Sequence, residues 1–183
     1  MDLIEIIAQG VGLLALVANV ASYQIKRKER VLLCHFTVCL LYCINFFMLG
    51  AIVGGFTNLI GVARSLVYMD RDRFHSGNPL WLVLFICLYL TAYALSFAVF
   101  GQEPTAYNLI FGGVRILGAI LLTLGYHLDG AKNIRRFSLI TSPMFLIYGI
   151  SVFSIGAICA EIFKMISTVI GIYRFDIKTK KEN

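Results

Sequence analysis

The sequence predicts an all-α integral membrane protein with seven transmembrane helices in a three, one, three order. Three observations lead there. Of 183 residues, 59% are apolar and only 14% charged, whereas soluble domains run to about half apolar and a quarter charged. Apolar runs of near-constant length recur along the chain, at 3–23, 31–49, 51–69, 80–100, 105–126, 137–154 and 156–175. About 20 residues of helix, rising 1.5 Å each, cross a hydrocarbon core of about 30 Å. Lipid offers the backbone no hydrogen bonds, so runs of this length are helices and not strands. Finally, residues 109–176 moved back by 106 positions fall without a gap on residues 3–70. Gly50-Ala51-Ile52 lands on Gly156-Ala157-Ile158, and Tyr42, Ile44 and Phe47 land on Tyr148, Ile150 and Phe153. An internal repeat of this kind decides the architecture before any single element does.

The first run is preceded by Asp2 and contains Glu5, and its basic cluster follows it. A signal peptide has the opposite order, so this run is expected to remain as a helix with its N-terminus outside. Gly50 separates the second run from the third. The fourth run lies outside the repeat, and Gly101-Gln102-Glu103-Pro104 leads from it into the fifth. The sixth contains Pro143, the single proline inside a run. No Ser- or Pro-rich linker divides the chain, so residues 1–183 read as one transmembrane domain. Within it, 3–70 is the first three-helix repeat, 80–100 a linker helix and 105–176 the second repeat.

Basic residues set the orientation. Lys26, Arg27, Lys28 and Arg30 follow the first span, and Arg71 and Arg73 the third. Lys132, Arg135 and Arg136 follow the fifth, and Arg174, Lys178, Lys180 and Lys181 the seventh. All fall on one side, while the other side carries Asp2, Glu5 and Glu103. Positive residues are retained in the cytoplasm, which places the N-terminus outside and the C-terminus inside. The net charge of +6 therefore marks topology and does not point to nucleic acid. Each repeat has an odd number of spans, so the fourth span inverts the chain and makes the two repeats parallel, as in several transporters.

Four ionisable residues lie within spans: Arg64, Arg115, Glu161 and Lys164. Such groups cost about 2.5–3.5 kcal/mol on insertion scales and usually face a bundle interior. At the offset of 106, Lys164 occupies the position of Asn58 and Arg115 that of Gln9. Gln9, Asn58, Arg115 and Lys164 are thus expected in one polar layer around the repeat axis, roughly 10 Å below the outer face by helical rise. Glu161 and Lys164 are three apart and share a helix face, so they can pair. The four groups then leave two excess positive charges, and a guanidinium receives a carboxylate or phosphate through two parallel hydrogen bonds. The structural alternative holds the arginines on backbone carbonyls, lets Arg64 snorkel toward the cytoplasm, and makes Asn58 and Gln9 helix–helix contacts.

Other residue types add less. Cys34, Cys39, Cys43, Cys87 and Cys159 lie in spans with no paired spacing. His35, Cys39 and Cys43 share a face that could serve a soft metal or a redox thiol, but packing is the simpler account, and neither metal nor cofactor is expected. Tyr23, Trp81, Tyr126 and Tyr173 read as anchors at the cytoplasmic interface. His75 and His127 sit at loop edges. No nucleophile arrangement, phosphate loop or acidic cluster suggests an enzyme.

The basic loop after the first span, Asn58 and Arg64 in the third, and the ending Ser154-Ile155-Gly156, Glu161 and Ile172-Tyr173-Arg174-Phe175 resemble the YgjV family over nearly the whole chain. The three, one, three order is similar, more distantly, to SWEET sugar transporters, their PQ-loop relatives and PnuC vitamin transporters. These resemblances imply a multi-pass protein of the bacterial inner membrane and, through the wider kinship, transport. No Pro-Gln pair occurs, and Trp81 stands at a span end, so sugar and nicotinamide riboside are not indicated as cargo. The expected function is a SWEET-like carrier that moves a small anionic or polar solute by alternating access. The alternative is a non-transporting membrane scaffold or regulatory protein with structural buried charges. Expected partners are the lipid bilayer and a small-molecule solute, with homo-oligomer assembly left open. Single cysteines placed by Glu103→Cys and Lys132→Cys, in a chain whose native cysteines are serines, are expected to react with an impermeant maleimide from opposite faces. Reaction of both from one face would overturn this topology.

Overall fold

A computed structural model describes residues 3–178, so Asp2, Lys180 and Lys181 of the charge count lie outside the described residues. The helices are α1 (Leu3–Ser22), α2 (Lys28–Met48), α3 (Ile52–Met69), the short α4 (Arg71–Phe74), α5 (Pro79–Ala98), α6 (Ala106–His127), α7 (Ala131–Ser151) and α8 (Ile155–Gly171). Beyond α8 the backbone continues in π-helical turns over Ile172–Lys178. Local chemistry marks the starts. Asn78 caps α5 by accepting from Leu80 N, with Pro79 in the first turn, where its missing N–H costs nothing. Thr105 and Ser154 cap α6 and α8 by accepting from Asn108 N and Ala157 N.

Six helices are long and apolar enough to cross a membrane: α1, α2, α3, α5, α6, and α8 with its extension to Phe175. α7 has the same length, but it starts at Ala131 and not at residue 137. Lys132, Arg135 and Arg136, expected in a loop, therefore lie on its first two turns. Arg135 is buried there, its guanidinium 5.4 Å from the Phe175 ring.

The molecule is apolar outside and polar within. Leu14, Val17, Leu80, Val83, Ile110, Leu117, Ile140 and Ile166 face outward, while Asn45, Ser65, Ser96, Thr123, Thr141 and Thr168 are fully buried. Water would reverse this arrangement, and lipid favours it. The long helices close a ring. α1 packs on α2, α2 on α3, α3 on α6, α6 on α7, α7 on α8, and α8 returns to α1, while α5 covers the seam between α3 and α6. Closure depends on Gly12 of α1 and Gly156 of α8. A Cβ on Gly156 would stand 2.7 Å from Gly12 Cα, so the two backbones touch, as small residues permit in membrane helices.

Successive connections lie at opposite ends of the ring. At one end Asp129, between α6 and α7, pairs with Arg71 of α4 and, at 3.4 Å, with Lys28 of α2. At the other, residues 49–52, 100–102 and 152–153 surround a hollow of about 480 Å³.

The two tight corners there are built alike. Leu49 and Val152 cap their helices with similar backbone angles, and Gly50 and Phe153 follow with φ of +68° and +51°. Ala51 N then donates to Phe46 O at 2.8 Å, and Ser154 N to Gly149 O at 3.0 Å. Val152, Phe153 and Ser154 stand 103 residues after Leu49, Gly50 and Ala51, so the corners correspond at 103 and not at the offset of 106 that maximises identity. The Gly50–Gly156 match is thus between unlike roles. Gly50 supplies a left-handed corner, and Gly156 supplies close approach to Gly12.

Gly156→Ala is expected to lower stability in detergent by about 1–3 kcal/mol, the usual cost of overpacking. Gly10→Ala, whose added Cβ meets nothing within 4 Å, should leave the melting temperature unchanged or slightly higher.

Candidate functional site

Inside the ring is a cavity of about 60 Å³, room for roughly four to six water centres. Every long helix contributes to its wall. Asn19 comes from α1 and Tyr23 from the turn just after it, His35, Cys39 and Tyr42 from α2, Thr57, Asn58 and Arg64 from α3, and Tyr89 from α5. From the later helices come Arg115 and Tyr126 on α6, Phe145 on α7, and Glu161 and Lys164 on α8.

The charges are held in different ways. Lys164 and Glu161 form a buried ion pair one turn apart. Arg64, 3% exposed, donates from Nη1 to Ala119 O at 3.2 Å and Thr123 Oγ1 at 2.9 Å. Its guanidinium carbon stands 4.4 Å from the centre of the Tyr126 ring. Arg64 is thus anchored on α6 and does not snorkel toward the end of its helix.

Arg115 is 7% exposed and has neither a hydrogen bond nor an ion pair among the described residues. It rests against ring faces instead, 4.5 Å from the centre of Phe145, 5.3 Å from Phe46 and 5.4 Å from Tyr148. Aromatic faces offset part of a buried positive charge. They provide no oxygen lone pair for its N–H donors. Three cations and one carboxylate share this wall, which gives it a formal net charge of two positive units.

Asn58 lines the cavity and donates to Gly54 O of its own helix at 2.9 Å. Gln9 stands elsewhere. Its amide donates to Phe153 O at 3.2 Å and accepts from Ile155 N at 3.0 Å, tying α1 to the start of α8. The single layer containing Gln9 is therefore corrected. At the offset of 103, the counterpart of Arg115 is Gly12, while Gln9 lies almost one turn closer to the end.

Two tyrosines expected at the membrane interface are also relocated. Tyr23 is buried and donates to Ser138 Oγ at 2.9 Å, and Tyr126 is buried against His35. They are 103 residues apart, as are Tyr42 and Phe145, so the corrected offset would have singled out both pairs. Trp81, whose Nε1 donates to Phe74 O, and the exposed Tyr173 remain at helix ends.

His35 joins three helices. Ser22 Oγ donates to Asn19 O at 2.6 Å, so its 3.1 Å contact with His35 Nε2 requires the imidazole to donate there. His35 Nδ1 then accepts from the Tyr126 hydroxyl, which assigns a neutral Nε2–H tautomer. Cys39 shares this wall, but among the described residues no three His, Cys, Asp or Glu side chains converge to hold a metal. Nothing in the sequence singles out Tyr89 from the other hydroxyl residues of its run, Thr91, Tyr93 and Ser96.

Residues 6–179 match the Imp-YgjV family, described as bacterial inner membrane protein, and the chain belongs to that family. No curated protein and no solved structure matches the chain.

Glu161→Gln leaves Lys164 charged and unpaired, and should cost about 3–5 kcal/mol, read from unfolding in detergent. Adding Lys164→Met should recover most of that loss. Additive losses in the double variant would show that the two residues do not act as a pair.

Proposed function

We propose that this protein is a small carrier that receives an anionic or polar solute in the central cavity and exposes it alternately to the two sides of the inner membrane. Two parallel three-helix units, residues 3–70 and 105–176, rock against each other, with α5 as the linker between them. In this reading α7 also spans the membrane, as the sixth of seven, its basic first turns at the cytoplasmic side, and the N-terminus lies outside. The order of spans is that of SWEET-type carriers. Arg115 and Lys164 hold the anionic part of the solute, Arg64 and Asn58 complete the wall, and Glu161 neutralises Lys164 while the site is empty. Gln9 belongs to the outer closure and not to the site. No bond is made or broken in the solute.

The observation that carries this reading is the Arg115 guanidinium, buried beside a cavity with no oxygen acceptor among the described residues. The contacts closing the cavity support it, because they join one unit to the other. Toward the basic end these are Asp129 with Lys28, Tyr23 with Ser138, and Gln24 with Ser167. Toward the opposite end they are Gln9 with Phe153, Ser154 with Asn45 at 3.0 Å, and Gly54 N with the Tyr148 hydroxyl at 2.8 Å. Polar contacts of this sort each contribute about 1 kcal/mol and can open at one end while the other stays shut.

A thermal-shift screen of purified protein against organic anions, sugars and nucleosides, followed by exchange in proteoliposomes, tests the proposal. An organic anion is expected to stabilise the protein and to exchange across the membrane. Arg115→Ala should weaken that response about 10- to 100-fold, the value of one or two charged hydrogen bonds. A scaffold with structural charges would show no stabilising solute and no exchange.

A further inference from the structure

We infer that the cavity takes a short-chain monocarboxylate of two or three carbons, bound through its carboxylate to Arg115. This assignment rests on the carrier reading and names its solute. Of the three cations on the cavity wall, Lys164 faces Glu161 and Arg64 donates to Ala119 O and Thr123 Oγ1. Arg115 alone lacks an oxygen partner among the described residues. One open guanidinium fork matches one planar carboxylate through two parallel hydrogen bonds. A tetrahedral sulfate or phosphate would bring more oxygen acceptors than one planar fork can satisfy, and the rest would be left desolvated.

Size narrows the class. A cavity of about 60 Å³ holds roughly four to six water centres, and therefore a solute of about that many heavy atoms. Acetate, pyruvate and lactate fall within this range, whereas sugars, nucleosides and citrate do not. The wall also has the two characters such a molecule requires. Arg115 and Asn58 offer donors, and Val38, Ala119 and Leu122 offer an apolar surface for the alkyl end.

The test uses the purified full-length chain in detergent and in proteoliposomes. Acetate, pyruvate and lactate are expected to raise the unfolding temperature with saturable dose curves. Acetamide and lactamide, and sulfate or phosphate at matched ionic strength, should not. Arg115→Lys keeps the charge but loses the fork, and should raise the lactate concentration for half-saturation at least tenfold. Equal stabilisation by sulfate, phosphate or lactamide overturns the assignment, as does unchanged lactate affinity in Arg115→Lys. If that variant does not fold, the wild-type ligand series decides alone. Counterflow of labelled lactate separates the two claims. Exchange of a different solute without lactate binding overturns the carboxylate assignment and leaves a carrier. Saturable lactate binding without exchange keeps the site and removes transport.

Discussion

Placing three cations and one carboxylate around a cavity inside a bundle whose outer surface is apolar is the constraint on which this fold depends. An unpaired ion in such an interior costs several kcal/mol, so each group must be compensated locally. Lys164 has Glu161, Arg64 has a carbonyl, a hydroxyl and the Tyr126 ring, and Arg115 has ring faces only. The dense aromatic packing of Phe46, Tyr89, Tyr126, Phe145 and Tyr148 follows from this need. Large apolar rings with negative faces can border a cation where aliphatic side chains could not.

Enclosing those groups requires a closed ring of helices, and closure is set by glycine. Gly12 and Gly156 bring α1 and α8 into backbone contact, and Gly118 leaves room for the Phe145 ring that lies beneath Arg115. At the corresponding offset of 103, Arg115 stands opposite Gly12 and Lys164 opposite Gly61. The later helices thus carry cations where the earlier ones carry glycine. Arg64 on α3 departs from this pattern, and Gly118 and Gly156 supply close approach from the later helices.

Membrane residence, the all-α class and the length of the long helices are legible in the chain itself. They depend on composition and run length, which need no neighbours. The Glu161–Lys164 pair is legible for the same reason, since a spacing of three on one helix brings side chains together whatever surrounds them. Tyr23, Tyr126 and Arg135 were misplaced because proximity to a basic loop resembles an interface position. In the folded chain, α7 begins six residues early and draws these groups inward against Ser138, His35 and Phe175.

The axial register was settled only by tertiary structure. Three residues are nearly one helical turn, so offsets of 103 and 106 match almost the same faces and similar apolar residues. Periodicity along the chain says which side of a helix turns inward. It cannot say which turn of one helix meets which turn of another. That is decided where backbones touch, at Gly12 against Gly156 and at the two left-handed corners, and it removes Gln9 from the cavity while bringing Arg64 and Arg115 to the same wall.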